Sequence, residues 1–264
     1  MKMLFIGAGK MATALAAGIV KNQLLPAADL LACDISAEAR RAFTATTGVR
    51  CEPTAQALVA DADVLLLAVK PQVAAAVAAE LMPIRQGALV ISICAGIGIN
   101  KLQQWFKTGN VVRVMPNTPL MVGKGASAYA LGPDANADAA ALVGRILGSL
   151  GLARQVEEPL LDAVTALSGS GPAYVFEMAK AMADAGAAAG LPADLSLDLS
   201  IQTIAGAAEM LARRIGTPDE LRDAVTSPNG TTAAGLAVMA QREFRAIMRD
   251  VVAAARKRSI ELGS

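Results

Sequence analysis

The residue types best suited to chemistry lie in a short glycine-rich segment near the amino terminus, between an apolar run and a helical pattern. Gly7 permits a tight turn, Gly9 lets backbone N–H groups approach a pyrophosphate, and Ala12 lets the helix pack closely on the strand. The first N–H groups of that helix lack intrahelical partners and carry partial positive charge, which suits a phosphate. An ordinary tight turn is the alternative. The residues predicted to bind a dinucleotide here are Ile6, Gly7, Ala8, Gly9, Lys10 and Met11.

An acid, Asp34, ends the next apolar run, about twenty residues after the loop, where dinucleotide-binding sheets place a carboxylate on the ribose hydroxyls. A carboxylate there repels the 2′-phosphate of NADPH and favours NADH. Arg40 and Arg41 follow roughly one helical turn later, and either could reach that phosphate instead. Asp34 could also serve only as a helix N-cap, a position for which Ser36 competes. The sequence therefore leaves both NADPH and NADH open as the cofactor.

Three further segments follow apolar runs, at the sheet edge where open α/β sheets bind ligands. In the segment 68–71, Pro71 forces Lys70 into an extended conformation and starts a helix. The other two segments are 92–97 and 113–119. Each could be a structural turn, but their coincidence at one edge predicts a cofactor crevice. The residues assigned to the cofactor here are Ala68, Val69, Lys70, Pro71, Cys94, Ala95 and Asn117.

Two polar loops stand out in the otherwise apolar second half of the chain, at 168–172 and 226–232. Each places small hydroxyl residues at a predicted helix N-terminus, where free N–H donors and the helix dipole suit a carboxylate. Ordinary N-capping by Ser170, and by Ser227 or Asn229, is the alternative. The density of hydroxyl groups in 226–232 favours a ligand for that loop.

The composition of the 264 residues excludes several classes of chemistry. The chain has no histidine, so it has no Ser-His-Asp triad, no histidine metal site and no imidazole base, and we predict no metal. Its 24 basic and 23 acidic residues leave a net charge of +1, which argues against nucleic acid or a membrane surface as partner. Three scattered cysteines indicate reduced thiols and a cytoplasmic location. No apolar stretch reaches the roughly 18 residues of a membrane span.

The elements that must position these segments alternate between two types up to about residue 156. Short runs rich in Val, Ile and Leu, without polar alternation, are typical of parallel strands covered on both faces. The predicted strands are 3–7, 30–34, 64–69, 88–93, 111–115, 126–131 and 152–156. The predicted helices between them are 10–21, 37–46, 54–60, 71–81, 99–107 and 135–148. This alternation predicts an α/β fold with a Rossmann-type, doubly wound sheet over residues 1–156.

The strand-like runs then disappear, and residues 157–264 are predicted to form an all-helical domain that binds substrate and dimerises. Its predicted helices are 158–167, 172–189, 194–213, 218–224, 231–240 and 242–262. Runs of small residues, at 181–190 and 203–212, let helices approach closely but bury little apolar area per helix. We therefore expect a homodimer built through this half. A monomer whose second half packs only on its own sheet domain is the alternative.

Five segments together match one family and span the chain nearly end to end. They are 7–11, 68–71, 113–119, 162–174 and 225–232. In this combination the chain resembles pyrroline-5-carboxylate reductase. The long run from Asp162 and the Ser-Pro-Asn-Gly-Thr-Thr loop are specific to that family, whereas the glycine loop is not.

The resemblance implies the last step of L-proline biosynthesis, in which hydride passes from NADPH or NADH to the C=N carbon of Δ1-pyrroline-5-carboxylate. It places the substrate carboxylate at the 226–232 loop and the hydroxyl of Thr232 near the ring nitrogen. Lys70 and Cys94 would flank the nicotinamide, and Thr232 and Lys70 are the candidate catalytic residues. It further implies an interleaved homodimer, possibly assembled into a decamer. The substrate-binding residues that it implies are Glu158, Ser227, Gly230, Thr231 and Thr232.

The chain departs from the family pattern at three positions. Ala55 stands where an asparagine often touches the adenosine side of the cofactor, and Asp34 replaces a small hydroxyl seen in some NADPH-preferring members. Asn229 replaces the first glycine of the usual Ser-Pro-Gly-Gly loop, and asparagine tolerates a positive φ better than most residues. We therefore expect the loop geometry to survive.

Two other functions compete with this interpretation. One is a β-hydroxyacid dehydrogenase, which shares the two-domain plan and uses a lysine on a second-domain helix after a Gly-Gly turn. The corresponding helix here begins Gly-Pro-Ala-Tyr, and its only lysine is Lys180. The Ser-Pro-Asn-Gly-Thr-Thr loop has no role in that enzyme. The other alternative is a non-catalytic module that senses a dinucleotide, which would bind the cofactor without oxidising it.

Overall fold

The computed structural model describes residues 1–263, which contain an eight-stranded sheet with strand order β3-β2-β1-β4-β5-β6-β7-β8. The strands are β1 Met3–Ile6, β2 Leu30–Cys33, β3 Cys51–Glu52, β4 Val64–Leu67, β5 Leu89–Ser92, β6 Val111–Met115, β7 Gly125–Leu131 and β8 Gly151–Gln155. All neighbouring strands run parallel except β6 and β7, which pair antiparallel. The parallel-dominated sheet confirms the predicted fold class.

Helices cover both faces of this sheet, and a helical segment follows it. The helices are α1 Lys10–Lys21, α2 Ala37–Thr47, α3 Pro71–Leu81, α4 Ile99–Phe106, α5 Ala137–Gly148, α6 Leu161–Val164, α7 Gly171–Ala188, α8 Ala193–Ala212, α9 Pro218–Ala224, α10 Thr231–Gln241 and α11 Phe244–Gly263. Phe43 of α2 and Leu15 of α1 pack on one face, in a cluster that also takes in α5. Leu102 of α4 and Ala78 of α3 pack on the other face. The central strands are buried from both sides, which explains their unbroken apolar runs.

The main error in the predicted elements is the helix over 54–60, which is wrong. The segment forms turns that end in a short 3-10 helix, Val59–Asp61. Ala55, Leu58 and Val59 have helical spacing, and one turn buries all three, with the N–H of Val59 donating to the carbonyl of Ala55 at 3.0 Å. The prediction also missed β3, because two residues are too few to show a periodic pattern.

The predicted helix 158–167 is helical in the structure, but it extends to residue 169 and is not one α-helix. A 3-10 turn, Glu158–Leu160, leads into α6, which continues as a π-helical turn, Thr165–Gly169. Leu161 is fully buried and belongs to the core cluster that α3 and α4 also form. This segment therefore packs as part of the sheet's outer layer.

The chain divides into two compact units. The first comprises residues 1–170 together with the end of α11 from Ala254 onward, and the second is Gly171–Ala253. This division differs from the predicted domain boundary at 156/157, because the segment 158–169 packs against β7 and the core beneath it. The end of α11 is tied to the first unit by a hydrogen bond from the hydroxyl of Ser259 to Asp162 at 2.8 Å.

Within the second unit, α7 and α8 approach each other closely. The hydroxyl of Ser196 donates to the carbonyl of Ala183 at 2.7 Å, and a Cβ added at Gly186 would collide with the same hydroxyl. Large apolar side chains nevertheless remain open to solvent on this unit, including Phe176 at 66% and Ile201 at 51% exposure. Exposed apolar side chains in such numbers are typical of a surface that binds another protein surface.

Candidate active site

The glycine loop has the backbone geometry that its sequence predicts. Gly7 follows β1 with a φ of +100°, and an added Cβ would lie 2.8 Å from the carbonyl oxygen of Ala68. The N–H of Gly7 donates to Cys33 at 2.8 Å, so the loop is held between β2 and β4. Only glycine combines this conformation with this clearance. The loop therefore turns sharply from β1 into α1.

The first turn of α1 presents free backbone donors. Gly9 is the N-cap and, among residues 1–263, no side chain caps this helix. A Cβ at Gly9 would meet no protein atom within 4 Å, so the space in front of the helix is open. Donors of this kind, with the positive end of the helix dipole, fit the pyrophosphate of a dinucleotide.

All four predicted cofactor segments contribute to one cleft of about 310 Å³ in front of α1, the segment 113–119 through Met115 and Pro116. The predicted residues that line it are Gly9, Lys10, Met11, Ala68, Val69, Lys70, Pro71, Cys94 and Ala95. Residues that are distant in sequence thus meet beyond the carboxyl ends of the strands, as the rule for parallel sheets predicts. Of the other predicted cofactor residues, Ile6, Gly7, Ala8, Asp34 and Asn117 are absent from the described lining.

Lys70 and Cys94 both line the cleft. Lys70 is exposed and extended, with φ −62° and ψ 139°, and Pro71 begins α3 directly after it. Cys94 is buried, and its thiol lies 3.2 Å from the carbonyl oxygen of Val69. Burial raises the pKa of the Cys94 thiol, so it is a neutral wall of the cleft rather than a nucleophile.

Asp34 lies beside the glycine loop rather than in the cleft. Its Oδ2 accepts a hydrogen bond from the N–H of Ala8 at 2.8 Å, and its Oδ1 accepts one from Ser36 at 2.8 Å. Ser36, not Asp34, is the N-cap of α2, accepting from the N–H of Ala39 at 3.3 Å. The carboxylate is therefore fixed next to the loop and is not engaged as a helix cap.

Asn117 follows β6, and both ends of its side chain form hydrogen bonds with the protein backbone. Its Nδ2 donates to the carbonyl of Ser168 at 3.0 Å, and its Oδ1 accepts from the N–H of Ala126 at 2.8 Å. The residue is 7% exposed. Its neighbours Met115 and Pro116 line the cleft in its place.

A partly buried charge cluster surrounds Arg113 in the first unit, and the sequence analysis missed most of it. Arg113 of β6, whose side chain is only 10% exposed, lies 3.2 Å from Glu158 and 3.6 Å from Asp162. Glu158 also accepts from the N–H of Ile99, the first residue of α4, at 2.7 Å. The cluster thus ties the start of α4, strand β6 and segment 158–162 together. A single arginine within the apolar run Val-Val-Arg-Val-Met was the available signal, since a buried arginine needs an acidic partner.

The end of α11 supports the loop between β5 and α4. The Nζ of Lys101 donates to the carbonyl of Gly263 at 2.9 Å. Gly96, with a φ of +75°, leaves room for the same turn of α11, because an added Cβ would lie 3.1 Å from the carbonyl oxygen of Leu262. Ala95 of this loop lines the cleft, so α11 is part of the structure that positions it.

In the second unit, the loop before α10 keeps the geometry expected from its sequence. Asn229 adopts a φ of +59°, as we expected for the residue that replaces glycine. Gly230 is the N-cap of α10, and a Cβ there would collide with the hydroxyl of Ser227. In the described part of the chain no side chain caps α10, so neither Ser227 nor Asn229 plays the capping role that was the alternative. Thr231 and Thr232 occupy the first turn, where the backbone donors are available to a ligand.

The other polar loop, 168–172, does not open a helix with free donors. The N–H of Ser170 donates to the carbonyl of Thr165 at 2.8 Å, and α7 begins at Gly171 directly after the π-helical turn. Of the two alternatives that the sequence left open for this loop, the structure does not support a carboxylate-binding helix terminus. The Gly-Ser-Gly-Pro sequence instead accommodates the change from π-helical to α-helical winding.

Comparisons with known proteins cover both halves of the chain. Residues 158–262 match the family described as pyrroline-5-carboxylate reductase dimerisation, and residues 2–96 match NADP oxidoreductase coenzyme F420-dependent. A pyrroline-5-carboxylate reductase of Arabidopsis thaliana is 42% identical, with 99% of this chain and 95% of that protein covered. One of Pseudomonas aeruginosa is 40% identical over 99% of this chain and 96% of its own. The chain belongs to the pyrroline-5-carboxylate reductase family.

Solved structures of pyrroline-5-carboxylate reductases agree with this membership. The Plasmodium falciparum enzyme, solved with NADP bound, superposes with a TM-score of 0.90 at 34% identity, covering 100% of this chain and 98% of that one. The Coxiella burnetii enzyme gives a TM-score of 0.92 at 31% identity, with the same coverage. In this pyrroline-5-carboxylate reductase, the region that matches the dimerisation family begins at Glu158, one of the two acids that pair with Arg113.

Two features are absent from the described residues 1–263. No helix among residues 1–263 is both long and apolar enough to cross a membrane. Over the same residues, no three side chains of the metal-ligating types Cys, Asp and Glu are grouped so that they could hold a metal ion.

Proposed function

We propose that the chain reduces the C=N bond of Δ1-pyrroline-5-carboxylate to L-proline with NADPH or NADH, the last step of L-proline biosynthesis. The observation that carries this proposal is the cleft in front of α1, in a chain that matches pyrroline-5-carboxylate reductases over nearly its whole length. We assign dinucleotide binding to residues 1–156, and substrate binding and dimerisation to residues 157–264.

The cofactor assignment rests on the open helix terminus and on the residues that line the cleft. The uncapped N–H groups of α1 would hold the pyrophosphate, and Lys70 and Cys94 would border the nicotinamide. When bound, the dinucleotide supplies the hydride. The residues that we assign to it are Ile6, Gly7, Ala8, Gly9, Lys10, Met11, Asp34, Ala68, Val69, Lys70, Pro71, Cys94, Ala95 and Asn117. For Asn117 the assignment is to its backbone, since both ends of its side chain are engaged.

The substrate assignment rests on the uncapped terminus of α10. We assign the substrate carboxylate to Ser227, Gly230 and Thr231, because the backbone donors there lack a side-chain cap in the described structure. Thr232 would orient the ring nitrogen through its hydroxyl. We assign Glu158 to the surroundings of the substrate rather than to direct contact, because its Oε1 already accepts from Ile99 and Arg113.

The chemistry suits a chain without histidine. A cyclic imine that carries a proton on nitrogen is already the hydride acceptor, so hydride adds to carbon and the nitrogen keeps its proton. The protein has to fix the carboxylate, orient the C=N bond and exclude water, which are contributions of positioning. Thr232 and Lys70 are the side chains that we assign to the reacting end of the site, and Thr232 is the one that touches the nitrogen.

The assembly we infer is a homodimer formed through the second unit, with a decamer of five dimers as the larger form. The exposed Phe176 and Ile201 support it, because apolar surface of this kind is stabilised by burial against another surface. We also infer a cytoplasmic location, which is supported by the three free cysteines.

The decisive assay follows nicotinamide absorbance after the imine is added to enzyme with NADH, and separately with NADPH. We expect oxidation of at least one dinucleotide and stoichiometric formation of proline. Oxidation with 3-hydroxy acids and oxidised cofactor, but not with the imine, would instead identify a β-hydroxyacid dehydrogenase. Dinucleotide binding without any turnover would identify a sensing module.

A further inference from the structure

The carboxylate of Asp34 is held in a fixed position beside the phosphate-binding loop. Its two oxygens accept separate backbone hydrogen bonds, from Ala8 and from Ser36, each at 2.8 Å. One bond joins it to the glycine loop and the other to the start of α2. The carboxylate therefore cannot swing away from the place where the ribose next to the pyrophosphate would lie.

The nearest cation on α2 is turned toward the backbone. The Nη1 of Arg40 donates to the carbonyl of Asp34 at 2.8 Å and to the carbonyl of Ile35 at 3.0 Å. These bonds fix the residues that follow β2 and occupy the Nη1 donors of Arg40. Arg41 is exposed, and the described residues offer it no hydrogen bond or ion pair that would hold it near the ribose.

Ser36 is the remaining polar residue at this position. Its hydroxyl oxygen accepts from the N–H of Ala39, and its backbone N–H donates to Asp34. Ile35, the residue after Asp34, is 95% exposed, so its apolar side chain lies at the surface beside the Asp34 carboxylate. The described surroundings thus fix a carboxylate acceptor where ribose hydroxyls would lie, beside an apolar face, and the charge of that carboxylate opposes a phosphate.

We propose that the charge of Asp34 makes this chain select NADH over NADPH. The inference rests on the proposed function, since it concerns the same dinucleotide site. An ionised carboxylate accepts a hydrogen bond from the 2′-hydroxyl of NADH but repels the dianionic 2′-phosphate of NADPH at short range. The solved Plasmodium falciparum relative holds NADP, so the family does not by itself decide the preference.

The test measures binding without the imine. Calorimetric titrations of the full-length protein would use NADH and NADPH, and then adenosine 5′-monophosphate and adenosine 2′,5′-bisphosphate as matched fragments. We expect NADH to bind at least tenfold more tightly than NADPH, and the monophosphate to bind more tightly than the bisphosphate. Equal affinities for NADH and NADPH, or tighter binding of the 2′-phosphorylated ligand in either pair, would overturn the inference.

Three variants identify the residue responsible. Asp34→Asn keeps an oxygen acceptor for Ala8 but removes the charge, so the NADH-to-NADPH affinity ratio should fall at least tenfold. Arg40→Met should leave the ratio within about twofold, whereas selective loss of NADPH binding would show that Arg40 holds the phosphate. Glu38→Gln, which removes another acid from the first turn of α2, is the matched control and should not change the ratio. Thermal melting verifies that each variant folds. The wild-type titrations test the preference even if a variant fails to fold.

Kinetics separate this inference from the proposed function. Faster imine reduction with NADPH than with NADH would overturn the inference and leave the function standing. No turnover with either dinucleotide would overturn the function, while the binding ratio would still decide the preference.

Discussion

Glu158 caps α4 from outside that helix: its Oε1 accepts the N–H of Ile99 at 2.7 Å, in place of a side chain at the N-cap position, which is Gly98. The same oxygen lies 3.2 Å from the guanidinium of Arg113. One carboxylate therefore serves both a helix terminus and a buried cation. The loop that precedes α4 borders the candidate cleft through Ala95, so this relationship bears on function as well as on stability.

The first prediction separates the two tasks of Glu158. Glu158→Gln keeps an oxygen for the N–H of Ile99 but loses the ion pair, whereas Glu158→Ala loses both. We expect the free energy of unfolding to fall by about 1 kcal/mol for Gln and by about 2–3 kcal/mol for Ala. Urea unfolding measures both values, and Glu157→Ala, an exposed neighbour, is the control. Equal losses for Gln and Ala would show that the hydrogen bond to Ile99 contributes nothing.

The second prediction concerns the cation of the same cluster. Arg113→Met would leave Glu158 and Asp162 without their shared partner in a partly buried site. We expect a loss of about 3 kcal/mol in the free energy of unfolding, because an unpaired buried charge costs more than the pair contributes. Arg113→Lys should recover part of it. A combined variant, Arg113→Met with Glu158→Met and Asp162→Asn, should be more stable than Arg113→Met alone if charge imbalance is the cause.

The third prediction compares the two glycines of the loop. Gly7→Ala forces a Cβ to within 2.8 Å of the Ala68 carbonyl at a φ of +100°. It should cost about 1–3 kcal/mol of stability as well as dinucleotide binding. Gly9→Ala meets no protein atom, so it should leave stability nearly unchanged and weaken dinucleotide binding alone. Thermal unfolding and a dinucleotide titration on both proteins test the contrast, which fails if Gly9→Ala binds like wild type.

The fourth prediction tests the reacting end of the site. Thr232→Val removes one hydroxyl and keeps the shape, so kcat should fall roughly tenfold to a hundredfold with unfolding unchanged. Thr203→Val, at an exposed position of α8, is the matched control. Turnover close to that of wild type in the Thr232 variant would remove the hydroxyl from the mechanism.

The fifth prediction follows from a buried thiol. Burial raises the pKa of Cys33 to about 11, so the unfolded chain loses this proton before the folded protein does. Stability should therefore be retained below the ordinary thiol pKa and decline as the pH rises toward about 11, by up to roughly 2 kcal/mol. Cys33→Ala has no thiol at this position to titrate, so its free energy of unfolding should fall less than that of the wild type between pH 8 and pH 10.5, by roughly 1 kcal/mol. The comparison is made by urea unfolding at the two pH values.

Most of the sheet and its helices were predictable, because each long element carries its own period. The helix at 71–81 was predicted to the residue, since Pro71 begins it. What could not be predicted has little local signal. The two residues of β3 are too few for a pattern, and one buried turn at 55–59 has the same spacing as a helix.

The candidate cleft was predictable for a topological reason, and the charge cluster was not. Residues that follow parallel strands must meet at one edge, so Lys70 and Cys94 could be placed together from the sequence. Arg113, Asp162 and Ser259 meet only through the folding of the whole first unit. Local sequence contains no rule that pairs such distant side chains.

The course of α11 has a consequence for protein engineering. The helix starts in the second unit and ends in the first, so in chain order Gly171–Ala253 is an insertion into the sheet unit rather than a module appended to it. A chimaera that exchanges the helical unit between relatives therefore needs two crossovers, one beside Ser170 and one beside Ala254. A single crossover would pair the donor's last turn with a foreign β5–α4 loop and lose the fit between Leu262 and Gly96.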